Sequence, residues 1–363
     1  MKIGLLLHPY GEKSPGGLGR SIFEMAKNLV ELDRQDSYTV YFKDEGMPRP
    51  PFAGAHWTYK GLGSRALWLT GAFGMDRSLD AYVFFTPVIP FFLKPKRSIV
   101  FALDFAYWKM RRSWREKLSA GMLFLLHKYA LRRADAVIAI SEETKQDVIR
   151  LFGVPEERIT VIQLSYVPLG EEKEALPVPD DFFLFAGVLK ERKNVAGIIK
   201  AFAVFARNNR SYNLLIAGKQ GGAYAESLTQ LARELGVEER VRFIGYVTDG
   251  QLAYLYSKAR ALVFPSLIEG FGMPVLEAMH AGLPVITSST GALAEVAADA
   301  ALLIDPRDPA GIAAAMARIA TDAELRGVLK EKGLARSAQF SWQKTAREIL
   351  EIITRVTHTE PIP

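Results

Sequence analysis

Residues 265–279 read Pro265-Ser266-Leu267-Ile268-Glu269-Gly270-Phe271-Gly272-Met273-Pro274-Val275-Leu276-Glu277-Ala278-Met279, directly after the apolar run Ala-Leu-Val-Phe at 261–264. A short continuous apolar run that ends in a turn is predicted to be a strand buried on both faces of a parallel sheet. Gly270 and Gly272 let the backbone turn sharply and let a ligand come close. Pro274 stands where a helix is predicted to begin, and there its missing N–H costs nothing. Strand, glycine loop and helix N-terminus leave free N–H groups that favour a phosphate or carboxylate. Glu269 precedes the turn, and Glu277 lies one turn into the helix. Carboxylates repel phosphate, so their natural partners are hydroxyl groups on either side of it. A molecule with an anionic middle and hydroxyls at both ends is a sugar nucleotide.

Upstream, residues 182–186 (Phe-Phe-Leu-Phe-Ala) are another predicted strand, followed by Gly187, Val188 and then Lys190-Glu191-Arg192-Lys193-Asn194. Cations at a strand's carboxyl end suit a phosphate, Arg as a bidentate fork and Lys as a point charge. A solvated surface pair is the bland alternative. Residues 213–217 make the next strand, turning at Gly218 and Lys219, and residues 241–245 another, ending at Gly245 and Tyr246. After the 265–279 block come residues 284–288 and then Thr290, Gly291 and Glu295.

The first half has the same grammar. Buried strands are predicted at 2–7, 39–42, 79–85, 98–103, 136–140 and 159–162. After the first strand, a loop containing Gly11, Gly16, Gly17 and Gly19 leads into Ile22, Met25, Ala26, Leu29 and Val30, which share one helical face. Gly17-Leu18-Gly19 is followed three positions later by Ile22, so the dinucleotide fingerprint is not met. A ligand loop and a tight turn without a ligand fit this stretch equally. Asp104 ends the 98–103 strand, at the end where open α/β sheets place their sites. Ser141-Glu142-Glu143-Thr144 is predicted to cap a helix over 144–152. Residues 43–78 show no confident periodicity.

A chain of 363 residues is long for one core, so two domains are expected. Cysteine is absent and the five histidines show no ligand spacing, which excludes disulfides, thiol catalysis and thiolate metal sites. No metal site or cofactor is predicted. Residues 3–7 are shorter than a signal-peptide core, and the apolar stretch 83–93 is broken by Pro87 and Pro90. A cytoplasmic chain is expected, resting peripherally on the inner face of a membrane if it meets one. The net charge is +6, and it lies in the first half. The densest part is 94–133, where Lys94, Lys96, Arg97, Lys109, Arg111, Arg112, Arg115, Lys117, Lys128, Arg132 and Arg133 face only Asp104 and Glu116. Trp108 and Trp114 are interleaved, and Leu118, Met122, Leu125, Leu126 and Tyr129 recur at helical spacing. Such a segment can lie on an anionic membrane. An internal helix with its stripe on the core fits equally. Nucleic acid is a poor fit, because no recognised module accompanies the charge.

Two glutamates eight apart around Gly-Phe-Gly-x-Pro, continued by residues 278–286, resemble the family-4 (group 1) retaining glycosyltransferases of the GT-B fold, mannosyltransferase-like branch. The likeness is strong over 182–310, looser before that and weakest at 43–78. It implies an α/β protein of two Rossmann-like domains facing a cleft: an acceptor-side domain at 1–165, a linker at 166–181 and a donor domain at 182–340. A closing helix at 341–357 would return to the first domain. The implied activity is metal-independent transfer of a sugar, with retained anomeric configuration, to a glycan or lipid-linked acceptor in surface polysaccharide or lipopolysaccharide synthesis. GDP-mannose is the first expectation for the donor, with UDP- or dTDP-sugars as alternatives.

By the same resemblance, Arg192 and Lys193 neutralise the diphosphate, Glu277 holds ribose hydroxyls and Glu269 holds hydroxyls of the transferred sugar. The segment Gly270, Phe271, Gly272, Met273, Pro274, Val275 and Leu276 lines the donor, with Gly17, Gly187, Gly218, Lys219 and Tyr246 around it. Glu269, Arg192, Lys193 and Asp104 are the catalytic candidates, Asp104 from the acceptor-side domain. Family members commonly carry a His-Asp pair at that strand end, where this chain has Leu103-Asp104. Either that histidine is dispensable, as where in retaining members the departing phosphate itself takes the acceptor's proton, or another group supplies its role. His8 at the end of the first strand is a conceivable substitute, though a structural histidine suits that place better. Leu103 keeps two other classes open: a nucleotide-sugar-binding protein without turnover, and a sugar-nucleotide epimerase of the same fold.

Overall fold

In a computed structural model, the described residues are 1–8, 17–42, 49–54, 56–62, 75–91, 93–110, 114–170, 172–219 and 222–358. They divide into two compact units, Met1–Ser165 with Ser341–Pro363, and Tyr166–Phe340.

The first unit is built on a parallel sheet of β1 (Lys2–Leu6), β2 (Ser37–Phe42), β3 (Trp57–Gly61), β4 (Ala81–Phe84), β5 (Ser98–Ala102), β6 (Ala136–Ala139) and β7 (Ile159–Val161). Their order is β3-β2-β1-β4-β5-β6-β7. The central strands are buried along their whole length, as sheets covered by helices on both faces require. The covering helices are α1 (Gly17–Leu32), α2 (Ala106–Lys109), α3 (Trp114–Arg133) and α4 (Glu142–Asp147). α1 buries Ile22, Met25, Ala26, Leu29 and Val30, the predicted stripe.

Two sequence expectations change here. Residues 57–61 form edge strand β3, in a stretch where no element was expected, with Thr58, Tyr59 and Lys60 turned to solvent. The helix expected over 144–152 starts at Glu142 instead, because the Ser141 hydroxyl accepts from the Thr144 N–H at 3.2 Å. Its second half, Val148–Phe152, widens into a π turn.

The second unit repeats the plan with β8 (Phe182–Ala186), β9 (Asn213–Ala217), β10 (Val241–Gly245), β11 (Ala261–Phe264), β12 (Val285–Ser288) and β13 (Leu302–Ile304), ordered β10-β9-β8-β11-β12-β13 and parallel throughout. Its helices are α5 (Val195–Ala206), α6 (Ala223–Glu234), α7 (Asp249–Lys258), α8 (Met273–His280), α9 (Gly291–Ala297), α10 (Pro309–Thr321) and α11 (Ala323–Ser337). Strand order reverses between β8 and β11, so the loops after these two strands flank the switch point, where such sheets bind ligands. Residues 166–181 carry no helix or strand among those described.

The last helix, α12 (Trp342–His358), belongs to the first unit. It packs on α1 and buries Trp342, Ile349, Ile352 and Ile353. The Thr345 hydroxyl donates to the Gln163 carbonyl at 2.8 Å and the Arg97 Nε to the Val356 carbonyl at 2.8 Å. Among the described residues, no helix is long and apolar enough to cross a membrane.

Candidate active site

The carboxyl ends of β8, β9 and β10 close on glycine. The Gly187 N–H donates to the Ala217 carbonyl at 2.9 Å, and the Gly218 N–H to the Gly245 carbonyl at 2.7 Å. A Cβ on Gly218 would stand 2.0 Å from the Gly187 carbonyl oxygen, so only glycine fits that approach. This leaves a rim of bare backbone at the switch point. Lys219 and Tyr246 stand exposed beside it.

Beyond Gly187 the chain tightens into a 3-10 turn at Glu191–Lys193. The turn is stitched to the loop after β11. The Leu267 N–H donates to the Arg192 carbonyl at 2.7 Å, and the Arg192 Nη1 to the Ile268 carbonyl at 3.0 Å. Glu269 is thereby brought between the two cations. Its Oε2 lies 3.1 Å from the Arg192 Nη1, and its Oε1 accepts a short bond from the Lys193 Nζ. The Glu269 and Lys193 side chains are only 8% and 10% exposed, and the Lys193 ammonium lies 4.6 Å from the centre of the Phe264 ring. Burial pushes the Glu269 carboxyl up, but Lys193 first and Arg192 second outweigh it and hold it below the usual carboxylate range. Glu269 is therefore ionised at neutral pH, and its stabilising pairing is lost only as pH falls through that lowered value. Arg192, Lys193 and Glu269 carry one net positive charge between them, which leaves electrostatic room for an anion.

Three residues later Gly272 takes φ 116° and opens α8. A Cβ there would meet Leu293 at 2.5 Å. No side chain caps this N-terminus, and Pro274 occupies the helix's second position, with the helix starting at Met273. Val275 and Leu276 are buried beneath the turn, and Phe271 packs edge-on against Phe340 with ring centres 5.9 Å apart. Glu277 accepts from the Tyr256 hydroxyl at 3.4 Å. Burial, and then the Glu277 charge, push that phenol well above its ordinary value, so it remains a donor. Two polar side chains of β12, which the sequence did not single out, brace the site from below. The Thr287 hydroxyl donates to the Phe264 carbonyl at 2.9 Å and the Ser288 hydroxyl to the Ser266 carbonyl at 2.6 Å. Hydroxyl residues at the end of an apolar strand were the available signal.

Thus Gly187, Arg192, Lys193, Gly218, Lys219, Tyr246, Glu269, Gly270, Phe271, Gly272, Met273, Pro274, Val275, Leu276 and Glu277 all belong to the second unit, along strand ends β8 to β11. Gly17 and Asp104 belong to the first. Gly17 opens α1, and the preceding loop residues 9–16 lie outside the described residues. The Asp104 Oδ1 accepts from the Ala106 N–H at 3.2 Å and so starts α2. The Leu103 carbonyl accepts from the Thr144 hydroxyl at 3.1 Å. A histidine does lie close by: His127 of α3 has its Nδ1 3.0 Å from the Tyr107 hydroxyl. Burial pushes its pKa down to about 4, so it is neutral. Among the described residues, no cluster of three or more acids and histidines could hold a metal ion.

The basic segment has a definite shape where it is described; Arg111 and Arg112 and the side chain of Arg115 lie outside the described residues. On α3, Leu118, Met122 and Leu125 are 71%, 66% and 65% exposed. The core is covered by the other face, through Ala120, His127, Ala130 and Leu131.

The profile of "Glycosyl transferases group 1" matches residues 170–336, and that of "Glycosyltransferase Family 4" matches residues 15–164. The O-antigen chain mannosyltransferase B of Escherichia coli is 35% identical over 237 residues, 62% of this chain and 61% of that protein. The serotype-specific mannosyltransferase WbdA of the same species is 33% identical over 247 residues, 64% of this chain and 30% of the longer protein. The matched region therefore spans less than two thirds of either relative. Sucrose-phosphate synthase from Thermosynechococcus elongatus superposes with a TM-score of 0.78 at 20% identity, covering 98% of each chain. That degree of identity speaks for the fold.

Proposed function

The chain belongs to the group 1, family-4 glycosyltransferases of GT-B fold, and from that premise we propose that it transfers mannose from GDP-mannose, with retention, to a glycan or lipid-linked acceptor in O-antigen-type polysaccharide synthesis. The observation that carries this is the buried Glu269–Lys193 pair, with half-buried Arg192 on its other oxygen, before the N-terminus of α8. The diphosphate would sit over Gly272 to Leu276, where the positive end of the α8 dipole and two cations stabilise the charge that grows as the sugar–phosphate bond breaks. Preorganised donors of this kind contribute about 2.7–4 kcal/mol each. With that charge supplied by side chains and a helix end, the reaction needs no divalent cation. Glu269, ionised and anchored, would present its carboxylate to sugar hydroxyls, and Glu277 to the ribose. The mannosyltransferase relatives favour mannose as the sugar; UDP- and dTDP-sugars are the competing donors.

The acceptor side would be a membrane surface. The α3 stripe of Leu118, Met122 and Leu125 is flanked by exposed Lys117, Arg132 and Arg133, and Phe91 and Lys94 are also exposed. Apolar side chains with cations beside them suit an anionic lipid headgroup layer.

The test is release of nucleoside diphosphate from GDP-, UDP- and dTDP-sugars, with and without a bacterial lipid extract and with and without chelator. Release of GDP from GDP-mannose, increased by extract and indifferent to chelator, is expected, with the α-configured sugar retained in the product by NMR. Chelator-sensitive release would overturn metal independence. Leu103 favours a second reading, in which the nucleotide sugar is bound and not turned over; binding without release under every acceptor would establish it.

A further inference from the structure

Asn194 follows Lys193 directly and adopts the left-handed conformation, φ 58° and ψ 35°; among described non-glycine residues only Ala298 also has a positive φ. Asparagine tolerates that region, and a turn-former is the bland account of the residue. Its side chain is committed elsewhere. Although it precedes α5, it makes no capping bond to that helix. The Nδ2 donates instead to the Pro265 carbonyl at 3.1 Å and to the Pro306 carbonyl at 2.6 Å. Both hydrogens of the amide are thereby used. Pro265 immediately follows β11, and Pro306 lies just beyond β13. One side chain thus ties together the loops after β8, β11 and β13.

A second observation protects the same bridge. A Cβ on Gly197, in the first turn of α5, would stand 2.4 Å from the Asn194 Oδ1 and 2.7 Å from its Nδ2. The space that a side chain at 197 would take is filled by the asparagine amide.

We propose that Asn194 is a positioning residue for the phosphate-binding pair. It does so by locking the loop that carries Arg192 and Lys193 to the loop that carries Glu269. This rests on the transferase reading above. Lys193 is its immediate neighbour, and Glu269 lies four residues past the carbonyl it holds. Without the bridge, the register between the two loops rests on the bonds from the Leu267 N–H and from the Arg192 Nη1 to the Ile268 carbonyl, and on the charges themselves. A misplacement of about 1 Å at such a site costs on the order of a hundredfold in rate.

The experiment compares wild type, Asn194→Gly, Asn194→Ala, Gly197→Ala and the Asn194→Gly/Gly197→Ala double variant on whichever of the GDP-, UDP- and dTDP-sugars the wild type turns over. Asn194→Gly keeps the backbone conformation and deletes only the bridge. It is expected to melt within a few degrees of wild type while kcat falls about 10- to 100-fold and KM for the donor changes less, because the lost alignment matters most to the charge of the transition state. Gly197→Ala should show the same split by displacing the amide. The double variant should be no worse than the poorer single one, since both remove one device. Wild-type kcat/KM in Asn194→Gly would overturn the proposal. So would losses confined to melting temperature, or fully additive losses in the double variant. A wild type that neither releases nor binds GDP, UDP or dTDP overturns the transferase reading itself, and an active wild type with an unimpaired Asn194→Gly sinks only the role of Asn194.

Discussion

The two sheets reverse strand order beside their first strand in the same way, between β1 and β4 in one unit and between β8 and β11 in the other, yet their strand ends handle charge in opposite ways. In the second unit, Lys193 and Glu269 are drawn into the protein and paired there. In the first, Asp104 starts a short helix, His127 is kept neutral, and Lys117 and Arg133 stay exposed on the helix that bears bare leucine and methionine. Charge held in a low-dielectric pocket acts strongly over a few ångströms, whereas solvated charge acts weakly and is screened. The second arrangement suits a small, doubly charged group. The first suits a broad anionic surface.

The contrast breaks most sharply at the buried cluster. Removing one partner of a buried pair leaves the other uncompensated, at about 3–5 kcal/mol. Glu269→Ala and Lys193→Ala are each expected to lower the melting temperature and to reduce nucleotide release by about 100-fold or more. A Lys193→Met/Glu269→Leu double variant should regain most of the stability and none of the turnover. If it also regains turnover, the cluster only holds the fold. The loss of stability in the single variants separates this pair from an exposed ion pair, whose removal costs at most about 1 kcal/mol.

The next effect lies in the first unit and reads its acid side. His127 has an ordinary pKa of 6.5 when unfolded and about 4 in the fold. Between those values the unfolded chain binds the extra proton, so stability rises with pH over that window and is lost as pH falls through it. The shift corresponds to about 3 kcal/mol at most. His127→Gln, which can still meet the Tyr107 hydroxyl, should flatten the stability profile between pH 6.5 and 4 and leave nucleotide release at pH 8 unchanged. An unchanged profile would show that the imidazole is hydrated in solution.

What could be read from the sequence follows from where the physics is local. Strands β8 and β11 and the start of α8 declare themselves, because continuous apolar runs and glycine–proline punctuation are short-range signals. Edge strand β3 does not, since Thr58, Tyr59 and Lys60 face water and leave no alternation to detect. β13 is only three residues long, with Leu303 partly exposed, and was equally silent. The cations and Glu269 were legible as residue types, but their burial as one cluster was not. The bridge from Asn194 to Pro306 spans 112 positions, so nothing near Asn194 announces it. α3 shows a further limit: periodicity gives a helix two faces without saying which one the core takes. Here Ala120, Ala130 and Leu131 lie on the core, and the larger Leu118, Met122 and Leu125 are left outside.

That outward stripe gives the smallest expected effect and the most direct test of the first unit's role. Its side chains gain only what a headgroup layer adds to partial exposure, and each nearby cation contributes about 1 kcal/mol at an anionic surface. Replacing Leu118, Met122 and Leu125 together by serine is expected to reduce partition onto phosphatidylglycerol vesicles about tenfold, or about 1.4 kcal/mol. Binding to neutral vesicles should be weak for both proteins, and raising the salt should weaken both alike while leaving their ratio unchanged, because both keep the same cations. Nucleotide binding, proposed for the other unit, should not change. Undiminished vesicle binding in the triple variant would remove α3 from the membrane. If sizing instead shows that the wild type self-associates and the triple variant does not, the stripe is an interface between copies, and the basic charge around it would then serve solubility rather than docking.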